Sequence, residues 1–210
     1  MEKVNVYIDG PNLLGAVSET IKKRVWLDPY KLANFLIDDR TQKVEKIYYA
    51  ETPYPETSFQ LETFRRQQSF FGYLHKYIQS KQVVHIRGHY RIDKMKVPQY
   101  ILSGLNPSVQ KLVASLVWTR PVEKGGDVGL AVRLVRDAFQ GNFDHAILVT
   151  EDQDFAPAIR IASSCPGKKV SISYVNNSFR NAMALRNQCE EAGFIQITRA
   201  NINNCALEIG

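Results

Sequence analysis

Apolar and polar positions along this chain follow a pattern that predicts strands and helices in turn. Short apolar, β-branched runs predict strands at 4–8, 44–50, 82–87, 145–150, 169–175 and 194–198. Apolar residues at helical spacing predict helices at 28–36, 58–80, 127–139, 155–162 and 179–192. Strands that alternate with helices build a parallel sheet with right-handed crossovers. The pattern therefore predicts an α/β fold.

Residues 88–120 fit this alternation less well. Their pattern predicts a short hairpin within 88–102 and a short helix at 108–117. The segment lies between the third predicted strand and the helix that starts at 127. The sequence contains no internal repeat and no evident linker between domains. We therefore interpret 88–120 as an insertion within a single domain that spans residues 1–210.

The composition is that of an ordinary globular protein. The chain has 210 residues, of which 44% are hydrophobic and 23% are charged. No apolar run is long enough to span a bilayer, and the N-terminus leads into a strand without a signal sequence. Cys165, Cys189 and Cys205 are far apart in the sequence, which argues against a disulfide framework or a thiolate zinc site. We expect a cytoplasmic protein that does not cross a membrane.

The charge balance is moderately basic. Lys and Arg outnumber Asp and Glu by 27 to 21, which gives a net charge of +6. A basic surface suits a phosphate-bearing partner. An excess of this size is also typical of a surface whose charge only keeps the protein in solution, and charge alone favours that interpretation.

Acidic residues stand where predicted strands end or the following helix begins. Asp9 follows the run VNVYI, Asp127 opens a helix after EKGG, and Asp152 and Asp154 follow HAILVT. An ionised carboxylate costs several kcal/mol to desolvate, so these acids are expected to share a solvated pocket. Such a pocket lies outside the carboxyl ends of the strands in an open α/β sheet. Oxygen-rich clusters of this kind hold Mg²⁺ or Mn²⁺.

Each acid also has a local explanation. Asp9 begins the sequence DGPN, which is typical of a β-turn. Asp127 and Asp154 are placed to interact favourably with the start of a helix. Capping explains a single carboxylate well, whereas the whole arrangement is more specific for a shared site. Glu151, which adjoins this group, is expected to face solvent, and Asn12 adds an amide suited to a metal-bound water or a phosphate.

Three sequence blocks resemble those of the NYN domain family, which belongs to the PIN-like nuclease superfamily. The blocks are YIDGPNL, KGGDVGLAV and LVTEDQDF, and the resemblance covers roughly residues 3–175. It implies a Rossmann-like, three-layer α/β/α fold with a mainly parallel central sheet. It also implies an acidic site made of Asp9, Asp127, Asp152 and Asp154, with Asn12 beside it, that holds one or two Mg²⁺ or Mn²⁺ ions.

The third block departs from the pattern typical of the family, which is Ser-Gly-Asp-Ser-Asp-Phe. Thr150, Glu151 and Gln153 replace its small residues, while both aspartates are kept. The larger side chains of Glu151 and Gln153 are expected to narrow the pocket or to add an oxygen ligand.

The resemblance implies metal-assisted hydrolysis of RNA phosphodiester bonds, in which bound ions generate the nucleophile and neutralise phosphate charge. The candidate phosphate contacts are Lys124, Arg120, Arg160, Arg180, Lys22, Lys23 and Arg24. Candidate stacking residues in the inserted segment are Tyr90, Tyr100 and Trp118. RNA is thus the expected partner, and the sequence leaves open whether the protein forms a homodimer.

Two other functions are consistent with some of these residues. The first is a non-catalytic NYN-like module that binds RNA or a protein, which Glu151, Gln153 and the segment 88–120 favour. The second is a phosphatase with a D-x-D motif after the first strand. Gly10 and Pro11 follow Asp9, so the sequence does not contain that motif.

Overall fold

A six-stranded parallel sheet forms the centre of the protein. The structure is a computed structural model, which describes residues 1–54, 61–80, 82–175, 179–189 and 191–208. The side chains of residues 179 and 180 also lie outside the described part. The strands of this sheet are β1 (Glu2–Asp9), β2 (Gln42–Glu51), β3 (Val83–Arg87), β6 (His145–Val149), β7 (Lys169–Val175) and β8 (Gly193–Ile197). Their order across the sheet is β3-β2-β1-β6-β7-β8, and every neighbouring pair is parallel.

Helices cover both faces of this sheet. The helices are α1 (Gly10–Ile21), α2 (Pro29–Phe35), α3 (Leu61–Gln79), α6 (Gly126–Phe139), α7 (Ala156–Ser164), α8 (Phe179–Gln188) and α9 (Arg199–Cys205). Val6 and Ile8 of β1 pack against α1, α2, α3 and α9, while the alternate residue Tyr7 packs against the layer that contains α6, α7 and α8. Each fully buried Leu or Phe in these layers contributes about 1.5–3 kcal/mol. The expected three-layer fold with a parallel sheet is confirmed.

A separate antiparallel ribbon occupies the inserted segment. Its strands β4 (His89–Lys96) and β5 (Val117–Lys124) pair from His89 with Lys124 to Lys96 with Val117. The short helices α4 (Gln99–Leu102) and α5 (Pro107–Ala114) connect them. The predicted hairpin within 88–102 is therefore wrong, because β4 pairs with a strand that begins beyond both helices. The helix predicted at 108–117 is shorter in the structure: α5 ends at Ala114, and Val117 is instead the first residue of β5.

Besides α4, the helices α1 and α9 were not predicted from the hydrophobic pattern. The DGPN sequence begins α1, because the side chain of Asp9 caps the helix and Pro11 is tolerated in its first turn. Leu13 and Val17 then bury one face of α1. Thr198 starts α9 through a capping box with Asn201. Local capping explains both helices, and their apolar runs are too short to stand out.

Other helix boundaries differ slightly from the predictions. Helix α3 covers 61–79 of the predicted 58–80, and 58–60 lie outside the described residues. Helix α8 ends at 188 instead of 192, and residue 190 is also outside the described part. Within the described chain, each helix is too short or too polar to cross a lipid bilayer.

Candidate functional site

Asp9 lies at the carboxyl end of β1 and is almost fully buried, with 3% of its surface exposed. Its Oδ1 accepts a hydrogen bond from the backbone N–H of Asn12 at 3.3 Å. Its Oδ2 accepts one from the Thr150 hydroxyl at 2.8 Å. Thr150 directly follows β6, the parallel neighbour of β1, so the sheet itself aligns the two residues. The first block of the sequence is therefore tied directly to the third.

Asp152 reaches the same edge of the sheet through a short 3-10 turn, Gln153–Phe155. Its backbone N–H donates to the Thr150 hydroxyl oxygen at 3.2 Å, and its Oδ1 accepts from the Asp154 N–H at 3.0 Å. Asp152 is thus the cap of this turn, whereas the local explanation from the sequence had Asp154 at the start of the following helix. Among the described residues, no hydrogen bond to the second carboxylate oxygen of Asp152 is present, so this oxygen is available to a ligand in the cleft.

Asp127 approaches this edge from the ribbon. Gly125 has a φ of 91°, in the left-handed region that favours glycine, and it turns the chain from β5 into α6. Asp127 then occupies the first turn of α6.

These elements enclose a solvated cleft of about 360 Å³. The residues that line it are Asp9, Pro11, Asn12, Glu123, Lys124, Gly125, Asp127, Val128 and Asp152. The structure therefore brings together Asp9, Asp127 and Asp152, with Asn12 beside them. Asp154 does not line the cleft, although its charge acts on Asp127.

Burial and the charges of neighbouring acids raise the pKa values of Asp9 and Asp127. Burial is the main reason that the pKa of Asp9 rises from 3.8 to about 7, and the charges of Asp127 and Asp152 raise it further. The Thr150 hydrogen bond opposes this rise. Burial also raises the pKa of Asp127, followed by the charges of Asp152 and Asp154. The acids are thus close enough to repel one another, which is a condition that a bound cation relieves.

The donor set fits a hydrated divalent cation better than a closed metal cage. Among the described residues, no three His, Cys, Asp or Glu side chains are grouped closely enough to form a ready-made metal site. Mg²⁺ retains several water ligands and commonly uses only one or two carboxylates. The carboxylate oxygens of Asp9, Asp127 and Asp152 match that chemistry. Zinc is a poorer match because it prefers four tight ligands rich in nitrogen or sulfur.

Glu51 and Glu123 belong to this acidic region and were not predicted. Glu51 ends β2, is 1% exposed, and accepts a hydrogen bond from Gln67 Nε2 at 2.8 Å. Burial raises its pKa to about 8, with further contributions from the charges of Glu123 and Asp9. Burial and the charge of Asp127 likewise raise the pKa of Glu123. The strand-end signal that identified Asp9 also applies to Glu51, since the predicted strand stopped one residue short of it.

The expected position of Glu151 is wrong. Its side chain is buried, with 7% exposure, because Oε1 accepts a hydrogen bond from the Val175 N–H at 2.9 Å. Gln153 Oε1 accepts from Gln188 Nε2 at 2.9 Å. Neither residue lines the cleft. The two larger residues of the third block therefore neither narrow the cleft nor add a ligand to it.

Asn12 is constrained in what it can contribute. Its Oδ1 accepts a hydrogen bond from the Glu151 N–H at 3.1 Å. Within the described residues, the Nδ2 amide group is the part of the side chain left for a ligand. Asn12 is therefore suited to donate to a phosphate oxygen or a water and not to coordinate a cation.

The candidate basic residues are divided among several surfaces. Lys124 lines the cleft, and Arg120 lies farther along the same ribbon strand. Arg160 NH1 donates to the Gln188 carbonyl at 3.4 Å, in a different depression between α7 and α8. Lys22 caps the C-terminus of α1, away from the cleft. Arg180 lies in α8, and its side chain is outside the described part of the chain.

Lys23 and Arg24 line another depression, beside the C-terminal segment. The Arg24 guanidinium stacks over Trp26 and Tyr54 at 5.7 and 5.2 Å, and it donates a hydrogen bond to the Tyr54 hydroxyl. Its charge partly opposes the rise that burial causes in the pKa of Glu51. Arg24 is thus part of the packing behind the cleft and is poorly placed to contact an incoming strand.

Comparison with known proteins agrees with this geometry at the level of family and fold. The family model described as the NYN domain matches residues 3–198. The 6-hydroxy-3-succinoylpyridine 3-monooxygenase HspA of Pseudomonas putida is 29% identical over 175 residues, which cover 76% of this chain and 55% of that protein. The chain thus spans about half the length of this relative.

A crystal structure of a protein of unknown function from Vibrio parahaemolyticus has a related fold. It superposes with a TM-score of 0.54 at 16% identity and covers 98% of this chain and 96% of the other. At this identity the likeness concerns the fold alone. The match to the family model extends over nearly the whole sequence, so the chain belongs to the NYN domain family of the PIN-like superfamily, whose members are generally nuclease-like.

Proposed function

We propose that this protein is a divalent-metal-dependent endoribonuclease that hydrolyses RNA phosphodiester bonds in the acid cleft. The observation that carries the proposal is the convergence of Asp9, Asp127 and Asp152 on one solvated cleft. Burial raises the pKa values of Asp9 and Asp127. The charges of Asp127 and Asp152 raise that of Asp9 further, and the charge of Asp152 raises that of Asp127. Acids that repel one another in this way disfavour a bare phosphate, and they favour a phosphate that arrives with a cation.

Asp9, Asp127 and Asp152 are the residues that would hold Mg²⁺ or Mn²⁺. When bound, the ion supplies a nucleophile at neutral pH and neutralises charge on the reacting phosphate. Asp9 is partly protonated near neutral pH, because burial raises its pKa to about 7, and its protonated form must release the proton to bind a cation. Affinity for the cation is therefore expected to increase as the pH rises through neutrality.

Other cleft residues position the phosphate. Lys124 lines the same cleft as the acids and supplies a cationic side chain for a phosphate there. The Asn12 Nδ2 group donates a hydrogen bond toward a phosphate oxygen, since its Oδ1 is held by the Glu151 N–H. Asp154 acts through the charge that it places near Asp127.

RNA as the substrate is inferred from family membership together with the cleft. HspA is named for a different reaction, on a pyridine compound. This chain covers 55% of the length of HspA, so the reaction in the name of HspA is not proposed for this chain.

The decisive test measures metal binding and RNA cleavage in the same variants. Asp127→Asn and Asp152→Asn should lose cleavage of a labelled RNA in Mn²⁺ or Mg²⁺, and they should bind Mn²⁺ more weakly by calorimetry. Asp39→Asn is the matched control, because Asp39 is exposed and lies on the depression that includes Gln42 and Lys43 at the start of β2, away from the cleft. Cleavage that persists equally in both cleft variants would rule out this site.

A second candidate function is RNA binding without cleavage. The lack of a ready-made three-ligand metal site among the described residues favours it. This function requires RNA binding that EDTA leaves unchanged and no metal-dependent cleavage across a broad panel of RNAs. Cleavage by the wild type that Asp127→Asn abolishes would exclude it.

A further inference from the structure

The positive charge of this protein is concentrated in the ribbon arm, which we define as residues 87–124. This segment contains seven Lys and Arg residues and two Asp and Glu residues, so it carries +5 of the chain's net charge of +6. The rest of the chain is nearly neutral. The moderate overall charge therefore hides a strongly basic local surface, which is the electrostatic footprint expected of a polyanion-binding element.

The strand register places Arg91, Arg120 and Lys124 with Asp93 on one face of the ribbon, and Lys94 and Lys96 with Glu123 on the other. Residues that pair directly in an antiparallel ribbon point to the same face, and successive pairs alternate. The pairs on one face, which we call the basic face, are His89 with Lys124, Arg91 with Val122, Asp93 with Arg120, and Met95 with Trp118. Tyr90 belongs to the opposite face and stacks on Tyr54 at 6.0 Å. The opposite face thus contacts the protein at the base of the ribbon, while Arg91, Arg120 and Lys124 of the basic face are exposed.

The basic face places three side chains to contact a ligand: Lys124, Arg120 and Trp118. Its other cation has a partner within the ribbon. Arg91 is already paired with Asp93, at 2.6 Å from Nε to Oδ1. Arg91 first, and then Lys124 and Arg120, lower the pKa of Asp93, which agrees with their position on the same face. Trp118 is 46% exposed.

These residues follow one strand outward from the acid cleft. Lys124 lines the cleft itself. At a rise of about 3.4 Å per residue, Arg120 lies about 14 Å from Lys124 along β5, and Trp118 lies about 20 Å away. The basic face thus begins at the candidate reacting centre and ends at an exposed indole.

We propose that the basic face binds single-stranded RNA and leads it into the acid cleft, with phosphates on Lys124 and Arg120 and an unpaired base stacked on Trp118. The choice of a single strand follows from the indole, because a base must be unpaired to stack on an aromatic side chain. The proposal rests on the proposed function for its choice of RNA. It assigns the binding surface independently of cleavage.

Exposed apolar residues at the far end of the ribbon arm, such as Leu112 and Leu116, would also be suited to bind a protein partner. The continuity of the basic face with the acid cleft favours a polynucleotide, because that continuity connects binding directly to the reacting centre. A protein partner for the same face is therefore an outcome of the test.

The test measures binding of a short labelled oligouridylate by fluorescence anisotropy in EDTA, where no metal-dependent cleavage takes place. Trp118→Ala should weaken binding about tenfold, in line with the contribution of one stacked base. Arg120→Gln should weaken binding and reduce the slope of log K against log salt by about 0.7. Circular dichroism and thermal unfolding establish that each variant is folded.

Two control variants match these changes elsewhere on the surface. Phe139→Ala removes an exposed ring at the far end of α6, and Lys43→Gln removes an exposed cation at the start of β2. Both should bind the RNA as the wild type does. Equal binding by wild type, Trp118→Ala and Arg120→Gln would overturn the proposal. Equal or tighter binding of a fully paired RNA duplex would also overturn it, because stacking would then contribute nothing.

Other outcomes separate this proposal from the proposed function. If RNA binding depends on Trp118 and Arg120 but the protein cleaves no RNA with any divalent metal, the RNA-binding role of the basic face is supported and the proposed nuclease function is refuted. If RNA cleavage depends on Asp127 but not on Trp118 or Arg120, the proposed nuclease function is supported and the RNA-binding role of the basic face is refuted. A change of oligomeric state caused by Trp118→Ala, measured by light scattering without any change in RNA binding, would assign the face to a protein contact and overturn the proposal.

Discussion

Replacing Asp9 with Asn should stabilise the metal-free protein above neutral pH and should abolish its response to Mn²⁺. The pKa of Asp9 in the folded protein is about 7, above its ordinary value of 3.8. Between these two values the folded state binds more protons than the unfolded state, so the free energy of unfolding decreases as the pH rises. Above about pH 7 this penalty is fully present, and it is absent below about pH 4.

The size of the effect follows from the pKa shift and the hydrogen bonds. A rise of about three units at roughly 1.4 kcal/mol per unit gives a penalty of about 4 kcal/mol for the ionised carboxylate. Asn at this position retains an acceptor for the Asn12 N–H, but its amide group meets the Thr150 hydroxyl that now donates to Asp9. That mismatch costs about 1–2 kcal/mol. The expected net gain is about 2 kcal/mol, or about 4–8 °C in Tm.

The assay is thermal and urea unfolding across a pH series in EDTA, repeated with Mn²⁺. Wild type should lose stability between about pH 4 and 7 and regain it when Mn²⁺ is added, because a ligand of the folded state stabilises it by mass action. Asp9→Asn should show a shallower pH dependence and no gain with Mn²⁺.

Glu51→Gln is the matched control for this experiment. Glu51 is also buried with a raised pKa of about 8, but it does not line the cleft. Its replacement should therefore stabilise the metal-free protein at alkaline pH and leave the gain with Mn²⁺ intact. An Asp9→Asn protein that is less stable than wild type at about pH 8, with an unchanged pH dependence, would refute the raised pKa of Asp9.

Three further substitutions test the surroundings of the cleft. Gly10→Ala should destabilise the protein by about 1–3 kcal/mol in urea unfolding, because the added Cβ would lie 2.5 Å from the Ala50 carbonyl oxygen. Tyr7→Phe should cost about 1–3 kcal/mol by the same measurement, because it removes the hydroxyl that donates to Asp137 at 2.9 Å, and RNA cleavage should persist. Glu151→Gln should leave kcat and KM for RNA cleavage nearly unchanged, since its Oε1 still accepts the β7 N–H; a loss as large as that of Asp127→Asn would contradict the structural role assigned here.

The strand periodicity predicted the sheet well because parallel strands buried on both faces are nearly continuous apolar runs. Residues 145–149 and 169–175 are examples, and both strands lie where the sequence indicated. The same reasoning brought Asp9 and Asp152 to one edge, since parallel strands end on the same side of a sheet. Asp127 reached that edge through the start of the following helix.

Other features depend on contacts that a local pattern does not contain. Helix α1 was hidden by DGPN, because the same four residues suit a β-turn and a capped helix start. The partner of β4 is β5, beyond two short helices, and only tertiary pairing identifies it. Glu151 looked like a surface acid in the sequence, but its burial depends on the Val175 N–H of a neighbouring strand.

Burial of an acid does not by itself identify the site, as a comparison with Asp137 and Asp28 makes clear. Asp137 is fully buried but accepts hydrogen bonds from Tyr7 and from Asn142, each at 2.9 Å. Asp28 caps α2 and also accepts from the Tyr73 hydroxyl at 2.6 Å. Asp9 also accepts two hydrogen bonds, but it lies in a solvated cleft with other acids, whose charges add to the effect of burial on its pKa. A fold that needed only a cap at the end of β1 would be more stable above neutral pH with Asn there, so the carboxylate at this position agrees with the proposal that it binds a cation.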